Sequence, residues 1–130
     1  MAGGLDRAER GAAAEELAAA FVAAQGAELV VRNFRCRLGE LDLVAMQGRV
    51  LIVAEVRTRS SEAYGGAAAS IDARKQRRII RATQRLLLER RELSCFPVRF
   101  DVIVVSGIGS AAGCALAAAD AVFSSGTSTA

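Results

Sequence analysis

Two strand-like runs, residues 40–46 and 50–57, flank the tripeptide Gln47-Gly48-Arg49, and this pairing limits the fold more than any other feature of the 130-residue chain. Apolar residues on either side of a glycine-containing turn are the short-range signature of a β-hairpin. With Gly48 and Arg49 as the central turn residues, Gln47 faces Val50, and the register sets Asp42 opposite Glu55 and Glu40 opposite Arg57. Strand side chains alternate with period two, so all four are expected on one face. Two carboxylates directly opposed on adjacent strands repel by a few tenths of a kcal/mol up to about 1 kcal/mol, and by more when partly buried. A divalent cation held by Asp42, Glu55 and a nearby backbone carbonyl such as that of Val56 removes the conflict, with Glu15 or Glu40 supplying a further oxygen or an outer-shell water contact. An open, solvated hairpin face with a Glu40–Arg57 ion pair would also relieve it.

The length suits one domain burying roughly two thirds of its unfolded surface, not two. Alanine supplies 27 of the hydrophobic residues, which make up 52% of the chain, and the larger apolar residues still suffice for one core. Residues 12–25 carry Leu17, Phe21 and Val22 at helical spacing and stop before Gly26, predicting a first helix with Glu15 at the border of its apolar arc and Glu16 pointing to solvent. Residues 28–33 read as a strand and 35–39 as a basic loop. Residues 58–73 form a connection around Tyr64-Gly65-Gly66, with room for a mobile loop over a site. A second helix covers 74–91, and Pro97 starts a strand over 98–105 whose apolar run is interrupted by Arg99 and Asp101. After a loop at 107–113, the alanine-rich stretch to Phe123 suits a short helix, or a strand followed by one. One domain over 1–123 and a disordered tail at 124–130 are expected.

The polar composition removes whole classes of chemistry. There is no histidine, and of 17 basic residues only Lys75 is lysine. Ser-His-Asp and Cys-His nucleophile systems and His-ligated zinc are excluded, leaving carboxylates, Lys75, Tyr64 or cysteine for proton transfer. Any metal site should use carboxylate oxygens and a hard cation. Cys36, Cys95 and Cys114 are odd in number and form no Cys-x-x-Cys pair, which fits free thiols in a reducing compartment. Without a long apolar run or a signal-like N-terminus, a soluble cytoplasmic protein with no membrane association is expected.

Charge is unevenly distributed. Residues 74–91 hold eight basic residues and one acid, whereas the whole chain has a net charge of +3. On a helical wheel Arg74, Arg77, Arg78, Arg81 and Arg85 fall within an arc of about 100°, opposite Ile79, Thr83, Leu86 and Leu87. Lys75 lies off that stripe, on the side of Ala82 and Leu86, so it is expected to reach toward the carboxylates. Guanidiniums concentrated in this way fit phosphate contacts, although a solvated helix face is the plainer alternative. Aromatic residues are only 5% of the chain, so backbone and shape recognition of a duplex or branched structure fits better than stacking on a single strand.

Leu41-Asp42, followed by Glu55-Val56-Arg57 and preceded by Glu15, resembles the PD-(D/E)XK nuclease motif in a form close to the Holliday-junction resolvases. The wider blocks Ala14-Glu15-Glu16-Leu17-Ala18, Val31-Arg32-Asn33-Phe34-Arg35, Gly39-Glu40-Leu41-Asp42-Leu43-Val44-Ala45, Val53-Ala54-Glu55-Val56-Arg57-Thr58-Arg59, Lys75-Gln76-Arg77-Arg78-Ile79 and Arg99-Phe100-Asp101-Val102-Ile103 resemble the YraN family of bacterial proteins. The resemblance implies an α/β, restriction-endonuclease-like single domain with a central mixed sheet and flanking helices. It further implies Asp42 and Glu55 as ligands of Mg²⁺ or Mn²⁺, Glu15 as an accessory carboxylate, and DNA or structured RNA as partner. Arg57 stands at the motif's lysine position. Arginine keeps the electrostatic part of that lysine's role at a phosphate but cannot give up a proton. Three functions therefore stay open: a metal-dependent nuclease, a nucleic-acid-binding module that lost turnover, and a protein-interaction domain for an acidic partner.

Overall fold

The hairpin forms with the expected register at its turn end. In the computed structural model, which describes residues 6–59, 71–106 and 115–123, strands β2 (Gly39–Gln47) and β3 (Val50–Arg59) pair antiparallel from Gln47↔Val50 to Leu43↔Ala54. Gly48 sits at φ 61 and Arg49 keeps a negative φ, the pattern of a type II′ turn with glycine at its first central position. This turn matches the right-handed twist of the strands it joins.

Around the hairpin a five-stranded mixed sheet is built in the order of the chain. Strand β1 (Glu28–Cys36) pairs antiparallel with β2, β4 (Val98–Ser106) pairs parallel with β3, and β5 (Ala115–Phe123) pairs antiparallel with β4. The single parallel pairing requires a crossover, which contains helix α2 (Ala73–Glu89) and a 3-10 turn at Arg91–Leu93. With helix α1 (Arg7–Ala24) on the other face of the sheet, this is the α/β, restriction-endonuclease-like architecture that the sequence implied. Among the described residues, no helix is long and apolar enough to cross a membrane.

The two sheet faces pack differently. Toward α1, Ala14, Ala18, Ala19 and Val22 meet Leu43, Ala45, Ile52, Ala54, Ile103 and Val105. Toward α2, Ile79, Ala82 and Leu86 meet larger neighbours that include Leu41, Val44, Leu51, Val53, Phe100 and Val102. Each fully buried Leu, Ile or Phe contributes about 1.5–3 kcal/mol of transfer free energy. Alanines gain less apiece but let the α1 backbone lie close to the sheet.

Several element ends move from their expected places. Helix α1 begins at Arg7 rather than at residue 12, because the Asp6 carboxylate accepts the Glu9 N–H at 2.8 Å and caps an earlier start. It ends as expected: the Gly26 N–H donates to Ala23 and the Ala27 N–H to Val22, a Schellman closure with Gly26 at φ 89. Asp72 caps α2 through the Lys75 N–H at 2.8 Å. Strand β1 continues through Cys36, so the expected basic loop at 35–39 shrinks to the turn residues Arg37 and Leu38. The open choice for the stretch ending at Phe123 resolves as strand β5. The Tyr64 connection over 60–70, residues 107–114 and the tail at 124–130 lie outside the described residues.

One irregularity matters for the site. Arg32↔Leu43 and Phe34↔Leu41 are direct pairs of β1 and β2, and regular alternation would aim both pairs at one face. Instead Leu43 packs with α1, and Arg32 reaches Glu16 of α1 at 2.9 Å, whereas Leu41 and Phe34 join the α2-side core. The position between them holds Asn33 at φ 53, opposite Asp42. Asparagine tolerates this left-handed conformation better than most residues, and it resets the alternation there. Simple alternation along β2 is thus interrupted beside Asp42, and the expected direct pairs Asp42–Glu55 and Glu40–Arg57 are not part of the β2–β3 ladder.

Candidate active site

Beyond Leu43↔Ala54 the β2–β3 ladder opens, and Asp42 and Glu55 occupy the opening. Asp42 fills part of the gap with its side chain: its Oδ2 accepts the Val56 N–H at 2.9 Å, taking the place of a strand carbonyl. Val56 thus meets the acidic pair through its backbone N–H. On β3, Glu55 follows Leu51 and Val53 onto the α2 side and is only 9% exposed. There the Lys75 ammonium lies 3.1 Å from Glu55 Oε1. The lone lysine, one residue off the arginine stripe, reaches Glu55.

The electrostatics are those of a crowded acidic pair. Burial, then the neighbouring Asp42 charge and a hydrogen bond between the two carboxyl groups, push the Glu55 carboxyl up from 4.5 to about 7, against the opposing pull of Lys75. A single ammonium therefore leaves the pair under-compensated. Arg57, two residues along β3, is half-buried, and its Nε is buried without a hydrogen-bond partner among the described residues. An unsatisfied buried donor costs about 1–3 kcal/mol. This site accordingly holds both a crowded acidic pair and a buried donor that is unpaired among the described residues.

Other expected participants lie further out. Glu15 is half-buried on α1, the helix on the sheet face away from α2. Glu40 is exposed and 3.8 Å from Arg35 of β1, its direct partner in the β1–β2 ladder. Among the described residues no three His, Cys, Asp or Glu side chains come together as a metal-holding group. The Asp42–Glu55 pair nevertheless suits Mg²⁺ or Mn²⁺: all its donors are hard oxygens, and Mg²⁺ commonly binds through one or two carboxylates while retaining several waters.

Next to the pair, Glu40, Lys75, Arg78 and Ile79 line a cleft of about 240 Å³. Arg78 also lines a second cleft of about 360 Å³ with Arg74, Arg77, Arg81, Arg37 and Leu38. Four of the five stripe arginines thus converge, while Arg85 is tied to Glu89 at 2.9 Å one turn on. Sequence reasoning missed Arg37, whose only signal was its place in a basic segment. On the α1 face of the sheet, Asp101, the β4 partner of Ala54, is buried but satisfied by a bidentate contact with Arg99, at 2.9–3.1 Å, and reads as structural.

Comparison with known proteins adds a family. Residues 14–105 match the family model described as "Uncharacterised protein family UPF0102", which is the YraN family. A UPF0102 protein of Legionella pneumophila (strain Philadelphia 1) is 43% identical over 99 residues, covering 76% of this chain and 84% of the relative. One from Hahella chejuensis is 51% identical over 94 residues, covering 72% and 75%. One from Methylococcus capsulatus is 45% identical over 103 residues, covering 79% and 82%.

Proposed function

This chain belongs to the UPF0102 family, and from its site we propose that it is a cytoplasmic, Mg²⁺- or Mn²⁺-dependent endonuclease-like phosphodiesterase acting on duplex or branched DNA, or on structured RNA. The observation that carries this reading is the pairing of half-buried Asp42 with buried Glu55, which has Lys75 at 3.1 Å. Asp42 and Glu55 would hold the cation, and Glu15 and Glu40 would assist through water. Once bound, the cation supplies Lewis-acid polarisation of a phosphoryl oxygen and a more acidic water.

The chain's own groups do the rest. The Val56 N–H fixes the orientation of Asp42. Lys75 holds Glu55 from α2 and brings a positive charge to the place where charge grows on the phosphate. Unlike Arg57, Lys75 can release a proton, so it takes over the part of the motif lysine's role that an arginine forfeits. Arg57, half-buried two residues beyond Glu55, would bring its guanidinium charge to the phosphate.

Arg57 itself favours the second reading, a nucleic-acid-binding module without turnover. Incubation of labelled duplex and branched DNA with Mg²⁺ or Mn²⁺ separates the two. Cleavage by the wild type that is lost in Asp42→Ala and Glu55→Ala supports the enzyme. Salt-sensitive binding with cleavage appearing only in Arg57→Lys identifies the module. Absence of nucleic-acid affinity at low salt removes both and leaves the acidic-protein partner.

A further inference from the structure

Two groups of described arginines contrast. Arg32, Arg35, Arg85, Arg90 and Arg99 each have a carboxylate within 4 Å. Arg37, Arg74, Arg77, Arg78 and Arg81 are all exposed, and among the described residues none of them forms an ion pair. These five unpaired guanidiniums line the same 360 Å³ cleft. Like charges gathered without counter-charge repel one another, and an anion seated among them turns that repulsion into attraction.

This cleft has two walls of different origin. One is the outer face of α2; the other is the β1–β2 turn, Arg37 and Leu38. The turn is seated hard against the helix: a Cβ on Gly39 would stand 3.0 Å from the Arg78 carbonyl oxygen. Only glycine allows this approach, so the placement of Arg37 beside the stripe is built into the packing. Arg78 lines both this cleft and the one containing Lys75, which makes the path from the arginines to the carboxylates continuous. From Lys75 to Arg81 the helix rises about 9 Å. That distance spans two to three phosphates of one strand at about 3.4 Å of axial rise each.

We propose that the β1–β2 turn and α2 form a two-walled groove for the phosphodiester backbone of a nucleic acid, with Arg37 facing Arg74, Arg77, Arg78 and Arg81 across phosphates that flank the one addressed by Asp42 and Glu55. The groove rests on the phosphodiesterase reading for its register, and it narrows the substrate to a polymer. A mononucleotide or a small diester reaches the carboxylates without filling the groove. Leu38, 45% exposed at the groove wall, offers an apolar contact to a sugar between phosphates.

Fluorescence anisotropy with a labelled DNA duplex in EDTA, where no turnover occurs, tests the groove by binding alone. Arg37→Ala and Arg77→Ala should each weaken binding several-fold and flatten the slope of log K against log salt by about 1. Arg37→Lys should recover most of the loss. Arg49→Ala, an exposed arginine in the turn at the other end of β2, should match the wild type. Thermal melts of all variants should superimpose, because the altered side chains are exposed. Wild-type binding that Arg37→Ala leaves unchanged in affinity and slope overturns the groove while the phosphodiesterase stands. Absent wild-type binding overturns it also, as does equal competition by polyglutamate at matched charge. Groove-dependent binding together with no cleavage in Mg²⁺ or Mn²⁺ supports the groove and sinks the enzyme.

Discussion

The two helices cover opposite faces of one sheet with opposite chemistry. Helix α1 meets the sheet through alanines and a valine, and its described ion pair, Glu16 to Arg32, only ties its edge to β1. Helix α2 meets the sheet through Ile79, Ala82, Thr83 and Leu86 while presenting arginines outward and Lys75 to Glu55. The contrast teaches where function and stability meet. The same seating of α2 that buries Leu86 also sets the reach of Lys75 and the opening of the arginine cleft.

The comparison can be broken first by loosening α2. Leu86→Ala removes a side chain that is 2% exposed and should lower stability by about 2–5 kcal/mol in urea denaturation, through lost transfer energy and the cavity left behind. A loss under 1 kcal/mol would show that α2 is not anchored as described. On the α1 side the sensitive change is the opposite one. Ala18 is fully buried against the sheet, so Ala18→Leu should overpack and destabilise by about 1–3 kcal/mol by the same assay, while Ala20→Leu on the exposed face should be near neutral.

A third prediction concerns the acidic pair. The unfolded chain releases the Glu55 proton near 4.5 and the folded chain near 7, so between those pH values the folded state keeps a proton that the unfolded state has lost. Stability should therefore fall as pH rises through that window, by roughly 1–3 kcal/mol. Asp42→Asn should flatten the fall by removing the neighbouring charge, and saturating Mn²⁺ should flatten it by offsetting both. Melting temperatures from pH 4.5 to 8 in EDTA and in Mn²⁺ decide this, and a rise with pH from this group would contradict the buried pairing. The smallest effect is expected at the α1 edge. Arg32→Ala breaks a pair whose Glu16 side chain is 72% exposed and should cost no more than about 0.5 kcal/mol, and less at high salt.

How much was legible in the sequence follows from how local each cause is. The hairpin register was readable because turn length and glycine position set it within a few residues. The position of Lys75 relative to the stripe was readable from helical periodicity alone. The extension of α1 to Arg7 was missed because a capping aspartate outweighed the weak apolar pattern before residue 12. Asn33 ends the strand expected at 28–33, and the tolerance of asparagine for positive φ is the local clue to the reset beside Asp42.

By itself the sequence determined both helices, strands β1 to β4 apart from their exact ends, the turn-end register of β2 and β3, the exclusion of histidine chemistry, and the carboxylate pair with one candidate lysine. These depend on periods, caps and turn residues acting over a few positions. Tertiary structure decided that the carboxylate Lys75 meets is Glu55, that no third carboxylate among the described residues joins Asp42 and Glu55 in a metal-holding group, and that Arg37 joins four arginines distant from it in sequence. Those outcomes depend on which sheet face each helix covers and on one glycine that lets a turn touch α2. Such contacts arise from packing between segments far apart in the chain, where local pattern carries no record of distance.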